Sequence, residues 1–331
     1  MASSTAAAGR RRHHRRTKVV VIMGATGCGK SRLSIDLALA LSLAPGFPSA
    51  EVINFDKTQV YRGLDITTNK ITTAERRGVP HHLLGSFDPG NGEMTPSQFR
   101  HLGHDAISRV ASHGKVPILV GGSNSFIHAL LVKRFDQAAD VFGGLSSPAR
   151  TELKYDCCFL WVDVSLAVLE QNLPKRVDKM LDMGAFEELA GYYDPGRTGT
   201  GGRAALRKAI GMREFDRYFE KYPPPRRVAP GDGWRQEDAR KRVADPVREV
   251  AYQEAVRAIR NNARQLAERQ RKKIQLLLKG CGWNLMRLDA TEAVRLAMAA
   301  EEEGGGGGRD VWKRQVVGPS VETVMRFWRE T

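Results

Sequence analysis

The chain has 331 residues, 41% of them hydrophobic, enough to bury one large core or a core with a smaller lobe. No stretch approaches the ~20 apolar residues of a membrane span, and the four cysteines, at 28, 157, 158 and 281, contain no CxxC pair, so neither a disulfide framework nor a zinc site is indicated and a reducing compartment is expected. The formal charge of +15 is unevenly spread: residues 1–18 hold six Lys/Arg and no acid, and residues 203–279 hold 21 basic against 10 acidic residues.

Residues 1–17 are rich in Ala, Ser and Arg and free of acids, which is the composition of an organelle transit peptide or of a basic N-terminal tail. Plastid targeting is expected, with the mitochondrion or the cytosol as alternatives. Val19 to Met23 is a short β-branched apolar run, as in a buried parallel strand. A glycine-rich turn follows, then a predicted helix from Lys30 to Leu43, ended by Pro45, Gly46 and Pro48. Val52 and Ile53 start a second strand leading into Asp56. Phe99 to His113 reads as an amphipathic helix, Val116 to Val120 as a buried strand closed by Gly121-Gly122, and Phe159 to Val164 as a further strand. Such alternation predicts a parallel sheet with helical crossovers.

Beyond Ser165 the pattern becomes helical. Leu166 to Ala190, with Pro174 expected to break or kink it, Arg203 to Tyr218, and Arg248 to Leu278 read as helices between Gly/Pro-rich loops. Trp283 to Leu288 is expected to return to the sheet, and Glu301 to Arg309, with five consecutive glycines, to be a flexible linker. The predicted organisation is a basic extension at 1–17, an α/β core at 18–165, a basic helical lobe at 166–280, and a C-terminal return with linker and tail at 281–331. No internal repeat is visible. A basic lobe beside a phosphate site suits a polyanionic substrate, or is simply a solvated charged surface. The aromatic residues do not interleave with the charges as in a stacking platform, so no stable nucleic-acid partner is expected.

Gly24-Ala25-Thr26-Gly27-Cys28-Gly29-Lys30-Ser31 fits G-x-x-x-x-G-K-[ST] in full, after an apolar strand and at the start of a helix. The fold expected is therefore P-loop NTPase-like: a parallel sheet flanked by helices, with an added helical lobe. In such a loop backbone N–H groups converge on phosphate oxygens at the positive end of the helix dipole. Lys30 should neutralise the outer phosphate, and Ser31 should hold Mg²⁺; Cys28 reads as a spacer. P-loop NTPases usually place an acid after a core strand to hold Mg²⁺. Here Val120 is followed by Gly121-Gly122-Ser123, which leaves only Asp56 and Asp163 as candidates. This argues against a motor or GTPase and leaves small-molecule kinases, and transferases with a diphosphate leaving group. Asp56, just past a strand's carboxyl end, stands where ligands bind in open α/β sheets. It could be a general base or a turn residue.

Seven stretches then carry a family resemblance: GATGCGKSRLSIDLA (24–38), DKTQVYRGLDITTNK (56–70), RGVPHHLLGSFDP (77–89), GGSNSFIHAL (121–130), YDCCFLWVDVSL (155–166), RVDKM (176–180) and AIGMREFDRYF (209–219). Taken in this order they resemble the plant adenylate isopentenyltransferases, the enzyme class that begins cytokinin synthesis. The related tRNA dimethylallyltransferases share the P-loop and the Asp region, but usually read GGTG where this chain has Gly121-Gly122-Ser123-Asn124, and many eukaryotic ones add a zinc finger. The resemblance implies that the P-loop cradles the diphosphate of dimethylallyl diphosphate and that Asp56 accepts a proton from the adenine N6 of ADP, ATP or AMP. It implies Mg²⁺, and catalytic parts for Lys30 and Thr26. Gln59, Ser123 and Asn124 are implied at the substrate site. Arg176 is a further diphosphate clamp or a surface charge, and Arg207 and Lys208 meet acceptor phosphates or solvent.

Four positions depart from the family pattern. Phe55 stands where Ser is usual, adding bulk beside the expected base. Thr58 replaces a larger apolar residue, His128 a usual Glu, and Ala263 a usual Thr before Leu266-Ala267-Glu268-Arg269-Gln270.

Overall fold

The computed structural model describes residues 16–138, 142, 152–194, 205–225, 228, 233–303 and 308–330. The N-terminal extension, apart from Arg16 and Thr17, lies outside them, as do the four central glycines of the linker.

Six parallel strands form one sheet in the order β3-β2-β4-β1-β5-β6. They are β1 (Lys18–Gly24), β2 (Ala50–Asn54), β3 (His81–His82), β4 (Val116–Val120), β5 (Asp156–Asp163) and β6 (Leu285–Asp289). All five residues of β2 and of β4 are buried, as expected of strands covered on both faces. β1 lies between β4 and β5, in register Ile22 with Val120 and with Leu160. Alternate side chains of each strand enter opposite layers. Val19, Val21 and Met23 join a core with Phe99, Ile107 and Phe126. Val20 and Ile22 join a second core with Leu33, Leu37, Trp312 and Val324.

The first layer holds α2 (Pro96–Ser112) and α3 (Asn124–Leu131). α2 begins three residues earlier than the amphipathic pattern suggests. Thr95 and Gln98 form a reciprocal capping box there, with Pro96 in the first turn. The second layer holds α1 (Lys30–Ser42) and the C-terminal helices α9 (Thr291–Glu303), α10 (Gly308–Trp312) and α11 (Gly318–Arg329), the last two joined by a π-helical turn at Lys313–Val317.

The helix expected over Leu166 to Ala190 is two helices, α4 (Leu166–Asp182) and α5 (Ala185–Tyr192). Pro174 is contained within α4, and the break falls at Gly184, whose φ of +106° glycine adopts readily. The segment expected as a helix from Arg203 begins, in the described residues, as a 3₁₀ turn at Leu206–Lys208. It becomes α6 (Met212–Lys221) only after Gly211. α7 (Trp234–Ala244) and α8 (Pro246–Gly280) complete the lobe. Phe186, Phe215, Tyr218, Phe219, Trp234 and Tyr252 pack there ring on ring, with Phe186 stacked 5.0 Å from Trp234. Beneath them the fully buried Asp238 accepts from Tyr218, Arg242 and Arg248. This aromatic core runs without a break into the sheet's first layer.

α8 has 35 residues, so at ~1.5 Å each it is roughly 50 Å long and reaches from the lobe to the P-loop. The C-terminal segment differs from the expected linker and tail. Residues 301–303 end α9, Gly308 and Arg309 begin α10, and Trp312, Val316, Ser320 and Val324 are buried against the sheet.

Candidate functional site

Three neighbouring strands deliver their carboxyl ends to one edge: β1 into the P-loop, β2 into Asp56, and β4 into Gly121-Gly122. Ligands of open α/β sheets bind in that crevice. A cleft of about 1370 Å³ opens there, bordered by α4 and α8 of the lobe and by α10.

On the P-loop, Gly24 and Ala25 are buried at the strand end, while Thr26, Gly27, Gly29, Lys30 and Ser31 line the cleft. Gly29 has φ +89°, and a Cβ there would lie 2.8 Å from the Trp312 indole. Only glycine meets both demands. Lys30 donates from Nζ to the Ala25 carbonyl at 3.1 Å, across the mouth of its own loop. Ser31 is exposed and lines the cleft. The Cys28 thiol is buried, and burial pushes its pKa up, with Lys30 pulling the other way. A thiol so placed is a spacer rather than a nucleophile.

Asp56 is braced on both sides. Its N–H donates to Asn54 Oδ1 at 3.2 Å, and Asn54 Nδ2 donates to Leu83 O at 3.0 Å. Its Oδ1 accepts from the Thr58 N–H at 3.1 Å and from the Thr58 hydroxyl at 2.9 Å. Oδ2 accepts no hydrogen bond from any described residue. It lies beside Gly122, where a Cβ would come within 3.3 Å of Oδ2 and 2.2 Å of Gln270 Nε2. A side chain at 122 would therefore displace the Gln270 amide and crowd the carboxylate.

Arg176, on α4, lines the same cleft, and no described residue pairs with its guanidinium. Burial pushes its pKa below the usual value, with Cys28 and Asp56 opposing. An unpaired, partly desolvated cation over a P-loop is a ready anion site. Gln59 lines the cleft with its amide donor committed to the Thr68 and Asn69 carbonyls, at 3.0 and 3.2 Å. Ser123 and Asn124 border it at the start of α3, and Asn124 Nδ2 donates to the Gln270 carbonyl at 3.3 Å.

The two lobe cations separate. Lys208 borders the cleft and pairs with Glu93 at 2.6 Å, and Glu93 also holds Lys57 at 2.6 Å. Arg207 does not line the cleft; it pairs with Asp216 at 3.2 Å on its own side of the lobe. Of the two readings, acceptor phosphates or solvent, the structure sets Lys208 at the cleft and Arg207 away from it, with its charge taken up locally. The other candidate carboxylate also leaves the site: Asp163, 2% exposed, is held by Arg287 at 2.8 Å and Arg271 at 3.3 Å.

Phe55 does not crowd Asp56. Strand alternation turns its ring into the first core layer, where it is 1% exposed. It comes so close under Gly121 that a Cβ there would lie 2.7 Å from the ring. His128 is also away from the cleft, stacked 6.2 Å from Trp283, and burial pushes its pKa down to about 4, with Arg100 adding to the shift. A neutral imidazole thus fills that slot.

Two residues with no role assigned from the sequence complete the cleft. Gln270, on α8, accepts from the Thr26 N–H at 2.8 Å and donates to the Gly122 carbonyl at 3.1 Å, tying the P-loop to the end of β4. Trp312 covers Gly29, donates from Nε1 to Asp36 at 2.9 Å, and is capped by Arg32, 4.7 Å from its ring. No local pattern marks either residue, since their partners lie hundreds of residues away.

Comparison with known proteins follows the same lines. The family model described as IPP transferase matches residues 59–144 and 144–275. A protein of Humulus lupulus named "Adenylate isopentenyltransferase" is 53% identical, covering 93% of this chain and 90% of its own length. "Adenylate isopentenyltransferase 1, chloroplastic" of Arabidopsis thaliana is 48% identical, covering 92% of this chain and 80% of its own. Among solved structures, a eukaryotic dimethylallyltransferase acting on tRNA superposes with a TM-score of 0.63 at 24% identity, over 90% of this chain and 80% of its own. That likeness shows the shared fold.

Proposed function

This chain belongs to the IPP transferase family and is a prenyltransferase, and from that premise we propose how its cleft works: the dimethylallyl group of dimethylallyl diphosphate passes to N6 of an adenine nucleotide, ADP, ATP or AMP, with diphosphate released. The observation that carries the reading is the convergence, in one cleft, of the P-loop, Arg176 and Asp56, with the guanidinium and one carboxylate oxygen unpaired by any described residue.

The donor diphosphate lies on the P-loop N–H groups and the start of α1, with Lys30 and Arg176 on its outer oxygens. The N6 lone pair attacks the allylic C1 as the C1–O bond breaks, and the bonding electrons leave with diphosphate. Negative charge accumulates on that leaving group, where fixed donors and cations are worth most. Asp56 Oδ2 orients the N6 amine and accepts its proton as the C–N bond forms. Thr26 lines the same phosphate wall and offers its hydroxyl there, its backbone N–H being held by Gln270. Lys208 borders the acceptor end, with Glu93 as the counter-charge that an acceptor phosphate displaces.

Magnesium fits this donor set. Among the described residues no group of three His, Cys, Asp or Glu could hold a metal. The Ser31 hydroxyl beside Lys30 is the protein ligand on offer, which suits a hard cation carried mainly by substrate phosphates. When bound, Mg²⁺ supplies charge neutralisation to the diphosphate. Import into a plastid is the proposed destination, on the acid-free N-terminal composition and the chloroplastic relative. A fluorescent fusion of the first 40 or so residues tests it, and retention in the cytosol would count against it.

The donor site is tested at Lys30. Removing one donor to a developing anion typically costs about 10²–10³ in rate, so Lys30→Ala is expected to lose at least that and to bind dimethylallyl diphosphate more weakly. A folded Lys30→Ala protein with near-normal turnover would move the donor diphosphate elsewhere.

A further inference from the structure

We propose that Thr58 is a positioning residue for Asp56, its hydroxyl fixing which carboxylate oxygen meets the acceptor amine. The inference rests on the reading of Asp56 as the base. Two donors of one residue converge on Oδ1: the Thr58 N–H at 3.1 Å and the Thr58 hydroxyl at 2.9 Å. Any residue but proline at 58 supplies the first, as in an ordinary Asx turn. Only a hydroxyl-bearing residue supplies the second.

A turn N–H alone leaves the carboxyl plane free to rock, because the terminal torsion of Asp is broad. A second donor on the same oxygen, charge-assisted, fixes that plane. Thr58 is suited to hold it, since branching at Cβ restricts its own χ1. The main chain beneath is fixed by Asn54, which accepts from the Asp56 N–H and donates to Leu83 O. Oδ1 is thereby saturated from within the 56–58 turn. Oδ2, unbonded to any described residue, is held beside Gly122, whose missing side chain leaves room for it.

By holding the base in line the hydroxyl avoids misplacement, and about 1 Å of misplacement costs about 10², so removal of the hydroxyl slows the reaction.

The test is a double-mutant cycle with dimethylallyl diphosphate, Mg²⁺ and an adenine nucleotide, using Thr58→Val, Thr58→Ser, Asp56→Asn and the double variant Thr58→Val/Asp56→Asn, with the melting temperature of each. Thr58→Val is expected to lower kcat about tenfold with little change in donor KM, and Thr58→Ser to restore most of it. In the Asp56→Asn background the valine is expected to cost nothing further, since a residue acting through Asp56 has nothing left to act on. A wild-type kcat for Thr58→Val, an equal loss in both backgrounds, or failure of serine to rescue would each overturn the proposal while leaving Asp56 as the base. A fully active Asp56→Asn protein would overturn the reading of Asp56 itself, and the proposal with it.

Discussion

Asp56 concentrates the chemistry at the scale of single residues. The adenine N6 amine is a weak nucleophile because its lone pair is shared with the ring. A carboxylate that takes its proton in the transition state is typically worth about 10²–10⁴. Asp56→Asn keeps the Asx turn, because an amide oxygen can still accept from the Thr58 N–H and hydroxyl, but it cannot take up a proton. The expected outcome is a fall in kcat of at least about 10² with donor affinity and melting temperature nearly unchanged. If instead Asp56 serves only its turn, kcat survives, since Asn and Asp are nearly equal in such turns. Phe55 shows how a neighbouring residue can mislead. Written as sequence it stands beside the base; in the fold, strand alternation points it into the opposite layer.

Helix α8 sets the geometry of the cleft at the scale of elements. One end packs Tyr252 into the aromatic core of the lobe, and the other presents Gln270 to the P-loop. The Gln270 amide satisfies the Thr26 N–H and the Gly122 carbonyl together. Gln270→Leu leaves both without their partner, and a buried polar group stripped of its partner costs about 1–3 kcal/mol. The expected outcome is a lower melting temperature together with weaker donor binding, read by calorimetry on one preparation. Unchanged donor affinity would show that Gln270 is a strut for the fold alone. The π-turn and α11 play a comparable part on the other side, holding Trp312 over Gly29 through Val316 and Val324. The P-loop was legible because its eight residues act on each other. Gln270 and Trp312 were not, because a bond spanning 244 or 276 residues leaves no periodic trace.

At the scale of the whole molecule, the basic side chains among the described residues include some paired locally and some that face the cleft. Many cations of the lobe are taken up by neighbouring acids, as in Arg207 with Asp216, Lys241 with Glu237, Arg242 with Asp238 and Glu249, and Arg260 with Asp178. Others, including Lys30, Arg176, Arg269 and Lys273, face the cleft. The P-loop and five of the six strands, the returning β6 among them, were readable from runs of apolar residues and their punctuation; β3, the pair His81–His82, is too short and too polar to leave such a run. The helical ends were not, since Gly184 and Gly211 set breaks that periodicity does not show. Nor did the glycine run reveal that the segment beyond it packs against the sheet, because that follows from Trp312 and Val324 finding partners on α1 and β5. Prenyl transfer to an adenine nucleotide is tested most directly by mass spectrometry of the products formed by purified protein from dimethylallyl diphosphate, Mg²⁺ and AMP, ADP or ATP in turn. The expected product has gained the mass of one dimethylallyl group at N6, with every phosphate of the acceptor retained and one diphosphate released per product. A folded protein that adds no prenyl group to any of the three nucleotides, or that moves a phosphate instead, would contradict it.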